Sequence, residues 1–268
     1  MSARLALHLR AVEQQHATPL LQDPDAQTWA ARLPLRPTRR PVIHAADPAS
    51  LTASRVAVCI RARVFDDWCR LALADRPDTH IIELGCGLST RRRRLDLPPD
   101  RWLGVDRTDL GPLLSELDPA ARFHAADLAQ PLALRKLIAQ SGERAPEPGP
   151  APPRPTLLIA EGLLMYLDPA SQRRLIRQLA TLWPGAVLCF DAYRRPAPRL
   201  TAFHDAAKHL APHERLRSTR PRSTHLRYLQ TLCLADLPEA RARLPRLHRL
   251  PLLRQLFTLN RARLTPPS

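Results

Sequence analysis

His80-Ile81-Ile82-Glu83-Leu84-Gly85-Cys86-Gly87-Leu88-Ser89-Thr90 is the stretch that decides the fold. His80 to Leu84 reads as a buried strand, and two of the chain's eight glycines follow it at once. Glycine lets a strand turn tightly into a helix and lets a ligand approach bare backbone, which is the logic of nucleotide-binding loops. The third glycine of a dinucleotide fingerprint is missing, since Thr90 and its neighbours follow instead, so a pyrophosphate-bridged ligand is disfavoured. Taken alone, G-x-G reads equally well as a turn in any α/β protein.

Outward from this loop, Trp102 to Asp106, Thr156 to Ala160 and Ala186 to Phe190 form further short apolar runs, with a weaker one at Arg122 to Ala126. Helical segments alternate with them. Ser54 to Ala74 carries Val56, Ile60, Val64, Trp68 and Leu71 along one stripe. A later helix opens with Asp168 as N-cap and Pro169 at its first position, then carries Leu175, Ile176, Leu179 and Leu182, and Pro184-Gly185 stops it. Alternating strands and helices predict an α/β fold with a doubly wound, mostly parallel, Rossmann-like sheet.

Three stretches fall outside this pattern. The first fifty-two residues, with a helix over Ala3 to Gln14 and a Pro- and Arg-rich run from Leu33 to Pro48, read as a cover over a core at 53–195. Glu143 to Pro155 contains six prolines and reads as an exposed loop. Residues 196–268, with 14 Lys or Arg against 4 Asp or Glu from Arg199 onward, read as a basic segment that completes the sheet on the substrate side.

Asp106 closes the second strand about twenty residues after the glycines, where an acid can accept hydrogen bonds from both hydroxyls of a ribose. Asp127 follows the third run, either facing an adenine amino group or capping the next helix. Glycine loop, ribose acid and adenine acid in succession suggest an adenosine ligand without a phosphate cradle.

With these residues in place, the chain resembles the leucine carboxyl methyltransferase family, a branch of the class I S-adenosylmethionine-dependent methyltransferases that includes bacterial O-methyltransferases of polyketide synthesis. The resemblance covers roughly Val58 to Asp191. It rests on Arg61-Ala62-Arg63-Val64-Phe65-Asp66-Asp67, Ile82 to Arg91, Gly104-Val105-Asp106 and Ala160-Glu161-Gly162-Leu163-Leu164-Met165-Tyr166-Leu167, the last block being the most specific. It implies S-adenosyl-L-methionine as cofactor. Arg63, with Arg61 as the competing choice, would bind the carboxylate of the methionine moiety. Glu83, Gly85 and Gly87 would form the cofactor loop, Asp106 would hold the ribose, Asp127 and Leu128 would flank adenine, and Glu161 would lie near the methionine amino group. Read without the family, Arg63 is a surface helix charge and Glu161 a helix cap. Ser89 stands where the family usually has Asp, and the run Arg91 to Arg94 is more basic than the family pattern.

Composition sets the outer limits. In 268 residues, 44% hydrophobic content suffices for a core, while aromatics make up only 4%. A formal net charge of +16 would attract polyanions, but arginine is spread along the whole chain and aromatics for base stacking are scarce, so nucleic acid is a disfavoured partner. Cys59, Cys69, Cys86, Cys189 and Cys233 form no C-x-x-C pair, which points away from a metal ribbon or disulfide framework and suits a reducing cytoplasm. No apolar run is long enough for a membrane span or signal peptide.

A carboxylate acceptor, with a pKa of about 4, is already ionised at neutral pH and needs no general base, so positioning would carry the transfer. A hydroxyl acceptor would gain from a histidine, for which His204, His209 and His213 are available. Arg91, Tyr166, Tyr193 and Arg194 lie at motif ends and are the choices for the wall facing a small, anionic substrate. A nucleic-acid methyltransferase or binder, and a cofactor-binding homologue without activity, are the alternatives.

Overall fold

The computed structural model describes residues 3–33, 51–130, 133–134, 155–194, 219–245 and 256–266. Its strands are β1 (His80–Leu84), β2 (Trp102–Asp106), β3 (Arg122–Ala125), β4 (Thr156–Ala160), β5 (Val187–Tyr193), β6 (Leu226–Cys233) and β7 (Phe257–Leu264). They form one sheet in the order β3-β2-β1-β4-β5-β7-β6. The first five pair in parallel, with Glu83 in register with Gly104 on one side and Ile159 on the other. β7 runs antiparallel between β5 and β6. The sheet is therefore α/β, doubly wound and mostly parallel, as the alternation of apolar runs predicts.

β1 is buried along its whole length because both faces of the sheet are covered, and a strand covered twice must be apolar on consecutive residues rather than alternate ones. Ile81 faces a core shared with Trp29, Phe65, Trp68 and Trp102, while its neighbour Ile82 faces Leu158, Leu175, Ile176 and Phe190 on the other side. The first core is roofed by α1 (Ala3–Glu13), α2 (Pro24–Arg32) and α3 (Thr52–Asp75), and the second by α6 (Pro169–Leu182). α4 (Arg91–Arg94), α5 (Gly111–Leu117) and α7 (Pro238–Arg243) are short. α6 begins as expected, with the Asp168 carboxylate accepting from the backbone N–H groups of Ala170 and Ser171, both at 2.9 Å.

The structure departs from the sequence pattern at two places. Leu71 lies 58% exposed rather than on the buried stripe of α3, whose packed surface instead takes in Cys59, Ala62, Phe65 and Asp66. The reason is that α3 lies between the sheet and α1, so it buries two faces instead of one. β5 also continues past Phe190 through Asp191 to Tyr193, because antiparallel pairing with β7 runs to Tyr193 opposite Phe257. The proline-rich stretch up to Arg154, most of the Leu33 to Pro48 run, and His204, His209 and His213 lie outside the described residues. Among those described, no helix is long and apolar enough to cross a membrane.

Candidate functional site

Strand order reverses at β1. The chain winds outward through β2 and β3, then returns to lay β4 against the other side of β1. Loops leaving the carboxyl ends of β1 and β4 diverge there, and a crevice opens between them. It is a cleft of about 510 Å³, lined from β1 by Gly85 and Gly87, from β2 by Asp106, from the segment after β4 by Glu161, Gly162 and Tyr166, and from α3 by Arg61.

Gly87 has φ of +55°, and a Cβ there would stand 3.1 Å from the Cβ of Ala3 on α1. Its N–H donates to Asp106 Oδ2 at 2.7 Å, while Arg107 N–H donates to Oδ1 at 2.7 Å. The carboxylate thus ties the glycine turn to the end of β2 with one bond to each oxygen, leaving the remaining lone pairs toward the cleft. Burial pushes the Asp106 carboxyl up, and the two backbone donors counter it.

Opposite this loop, Arg61 is held by two acids, one in the turn after β4 and one on β5. Its Nε donates to Glu161 Oε1 at 2.9 Å and its Nη1 to Asp191 Oδ2 at 2.9 Å. Asp191 is fully buried at β5 and also accepts from Gly162 N–H at 2.6 Å, which ties the post-β4 turn to the same group. Gly162 has φ of +63° and passes so close that a Cβ would meet Arg61 Nη1 at 3.3 Å. Arg61 Nη2 has no acceptor among the described residues, so this clamped guanidinium keeps donors to offer. Burial alone would raise the Glu161 carboxyl, but Arg61 and Arg91 outweigh it and hold it down at about 2.

The other residues expected at the site fall as follows. Glu83 lines the cleft but spends its oxygens on Arg91 and on Trp102 Nε1, the latter at 3.2 Å. Arg63 is not brought to the cleft. It pairs with Glu239 of α7 at 2.8 Å, because two residues of helix turn it about 200° from Arg61. Arg91 is not a substrate-facing wall either. It is fully buried and ion-paired with Asp66, Glu83 and Glu161, so its donors are consumed inside the protein. Asp127 is exposed and turns its carboxylate onto Ala129 N–H and Gln130 Nε2 at 3.0 and 3.3 Å, as a cap would, and Leu128 packs into the core. Neither is among the cleft residues. Tyr166 lines the cleft, Tyr193 packs against Phe257 with ring centroids 5.0 Å apart, and Arg194 is exposed beyond β5. Ser89 lines the cleft, and its Oγ accepts from Arg91 N–H at 3.2 Å, so the loop retains a side-chain acceptor where the family usually has Asp.

Sequence reasoning missed Asp191 and Arg10. Asp191 had a signal, since an acid closing an apolar strand is costly unless paired. Arg10 had none: α1 brings it, buried, to the cleft lining, where Nε meets Asp23 at 2.8 Å and Nη2 meets the Leu88 carbonyl at 2.7 Å.

A doubly wound sheet with a glycine turn, a strand-end acid beside it and a clamped arginine across the crevice defines an α/β protein of the class I methyltransferase fold. Comparison with known proteins narrows this. The chain is 30% identical over 228 residues to a protein of Mycolicibacterium gilvum assigned as an S-adenosyl-L-methionine-dependent methyltransferase, covering 78% of this chain and 69% of that one. It is also 30% identical over 188 residues to the tetracenomycin polyketide synthesis O-methyltransferase TcmP of Streptomyces glaucescens, covering 69% of this chain and 63% of that one. The chain belongs to the S-adenosyl-L-methionine-dependent methyltransferase family. It spans 63% and 59% of the length of the first two curated relatives it matches. Among solved structures, a DUF574 family protein of Streptomyces avermitilis superposes with a TM-score of 0.54 at 14% identity, covering 99% of this chain and 97% of that one. A protein of Thermobifida fusca described as a methyltransferase gives 0.53 at 17% identity, covering 98% and 94%. These two show the fold. No protein-family model matches the chain.

Proposed function

We propose that the protein is an O-methyltransferase of the leucine carboxyl methyltransferase type, transferring a methyl group from S-adenosyl-L-methionine to a carboxylate of a small, anionic metabolite. The observation that carries the reading is the convergence of the Gly87–Asp106 pair and the Arg61–Glu161 pair on one cleft at the switch point of the sheet. Asp106 would take the ribose hydroxyls on its free lone pairs, the backbone of Gly85 and Gly87 would pass beneath the nucleoside, and Arg61 Nη2 would hold the methionine carboxylate. Arg61 replaces Arg63 in this role because only Arg61 reaches the cleft. Glu161, ionised down to about pH 2, would supply negative charge beside an ammonium.

The bound cofactor would supply an electrophilic methyl carbon on a positive sulfur. The chain's own residues would do the rest by placement. An acceptor carboxylate needs no base at neutral pH, and orienting it against the methyl carbon contributes several kcal/mol, on the order of that found for well-oriented intramolecular reactions. Tyr166 and Arg10 line the cleft and are the residues proposed to face the acceptor. The resemblance to TcmP supports oxygen as the acceptor atom, and a hydroxyl is the second reading on that ground.

Calorimetric titration of the full chain with S-adenosylhomocysteine tests this. Wild type should bind at one site, and Asp106→Ala should bind at least tenfold more weakly with its fold retained by circular dichroism. Absence of binding by wild type, or equal affinity in Asp106→Ala, would refute the ribose assignment.

A further inference from the structure

Away from the cofactor cleft, a second concavity of about 470 Å³ opens between α6 and the turn preceding β6. It shares no residue with the first. Arg173, Arg174 and Arg177 project into it from α6, with Arg222, Ser223 and His225 facing them from the turn. The helical side follows from spacing, since positions three and four apart lie on one face.

Among the described residues, no acid lines this concavity. The nearest in sequence, Asp168, is spent on its cap, with Oδ1 accepting from Ala170 and Ser171 N–H and Oδ2 from Ser171 Oγ. Arg173, Arg177 and Arg222 are exposed and have no ion-pair partner among the described residues. Arg174 is anchored to Ser171 Oγ at 2.6 Å and to the Ala129 carbonyl at 3.3 Å, while its buried Nε has no acceptor among the described residues. Arg173 and Arg177 stand four apart on the helix, where like charges repel. On an ordinary solvated face an acid would be interleaved; here four guanidiniums line an open concavity with no acid among its described lining residues.

We propose that this concavity is a binding site for a phosphate-bearing small molecule, with the guanidiniums of Arg173, Arg177 and Arg222 as its ligands and Ser223 as a neutral donor. Guanidinium forks match phosphate oxygens two at a time, and several converging forks suit a diphosphate better than a single phosphate. Its volume of about 470 Å³ lies in the range of small-molecule sites, of about 300–1,000 Å³.

The test is calorimetric titration of the full chain with inorganic pyrophosphate. It compares wild type, a triple variant carrying Arg173→Ser, Arg177→Ser and Arg222→Ser, and a charge-matched control carrying Arg70→Ser, Arg76→Ser and Arg241→Ser at exposed positions elsewhere. Wild type and control should show saturable one-to-one binding, and the triple variant should lose at least tenfold in affinity while its circular dichroism spectrum is unchanged. No saturable binding by wild type, or an equal loss in both triple variants, overturns the proposal. So does binding of a single-stranded RNA oligonucleotide without binding of pyrophosphate, which would make the patch a nucleic-acid surface.

Discussion

Arg61 and Arg63 differ by two positions and by everything that matters to the site. Sequence matching favours Arg63, yet a helix advances about 100° per residue, so one of the two must face away from any crevice the other lines. Phase was the missing quantity, and the stripe of Val56, Ile60, Val64 and Trp68 could not supply it, because α3 buries a second face that holds Cys59, Ala62 and Phe65. At Glu161, two arginines favour the ionised form in the folded state. Its folded pKa of about 2 lies below the ordinary 4.5, so its contribution to stability is present above 4.5 and is lost as pH falls through about 2. The urea midpoint of wild type should therefore exceed that of Glu161→Gln by most at neutral pH, and the gap should close as pH is lowered toward 2. Glu83 and Asp191, raised by burial and further by the Glu161 charge, are present in both proteins and differ between them only through that charge. A gap that stays constant with pH would show that Glu161 acts by shape rather than by charge.

At the scale of the element, β1, β2 and β4 could be placed from their apolar runs to the residue, since a strand covered on both faces is apolar at consecutive positions, with Glu83 of β1 the paired exception. α6 was equally legible through Asp168 and Pro169. β6 and β7 were not, because both carry arginines and only β7 is well buried; what makes β7 a strand is its pairing with β5, information held in another segment. Gly104 shows how two elements share one space. It sits in the middle of β2, where a Cβ would lie 2.4 Å from Cη2 of Trp102 and 2.9 Å from Sγ of Cys86 in the glycine turn. Both neighbours are buried, so neither can move cheaply. Gly104→Ala should destabilise the protein by about 1–3 kcal/mol in urea unfolding. It should also weaken S-adenosylhomocysteine binding, since relief must push the Cys86 loop. Unfolding indistinguishable from wild type would mean that the strand yields more readily than the packing implies.

Across the whole molecule, one chain of ion pairs links the elements around the cleft. Asp191 of β5 pairs with Arg61 of α3, Arg61 with Glu161, Glu161 with Arg91 of α4, Arg91 with Asp66 of α3, Asp66 with Arg94, Arg94 with Asp23 at the head of α2, and Asp23 with Arg10 of α1. Arg91 is its hub. Arg91→Ala would leave the buried Glu83 without an ion-pair partner and take one of two from each of Glu161 and Asp66, and should cost about 3–5 kcal/mol in urea unfolding, the range for breaking a buried pair. Arg93, two residues along the same basic run, pairs with Asp25 at 2.9 Å but is 42% exposed on its side chain. Arg93→Ala should cost no more than about 1 kcal/mol. Equal effects of the two would contradict the network.

The sequence by itself determined the layered α/β sheet, the glycine turn and the acid that closes β2, because each is written in a contiguous run whose burial and turn chemistry are local. Only the tertiary structure decided that Arg61 rather than Arg63 meets Glu161, that Asp191 braces it, and that one arginine of four in a row is fully buried. Those assignments depend on which faces of separate elements meet. A charge far along the chain costs little in solution and a great deal when left unpaired inside, so its role is set by the partners that folding brings to it.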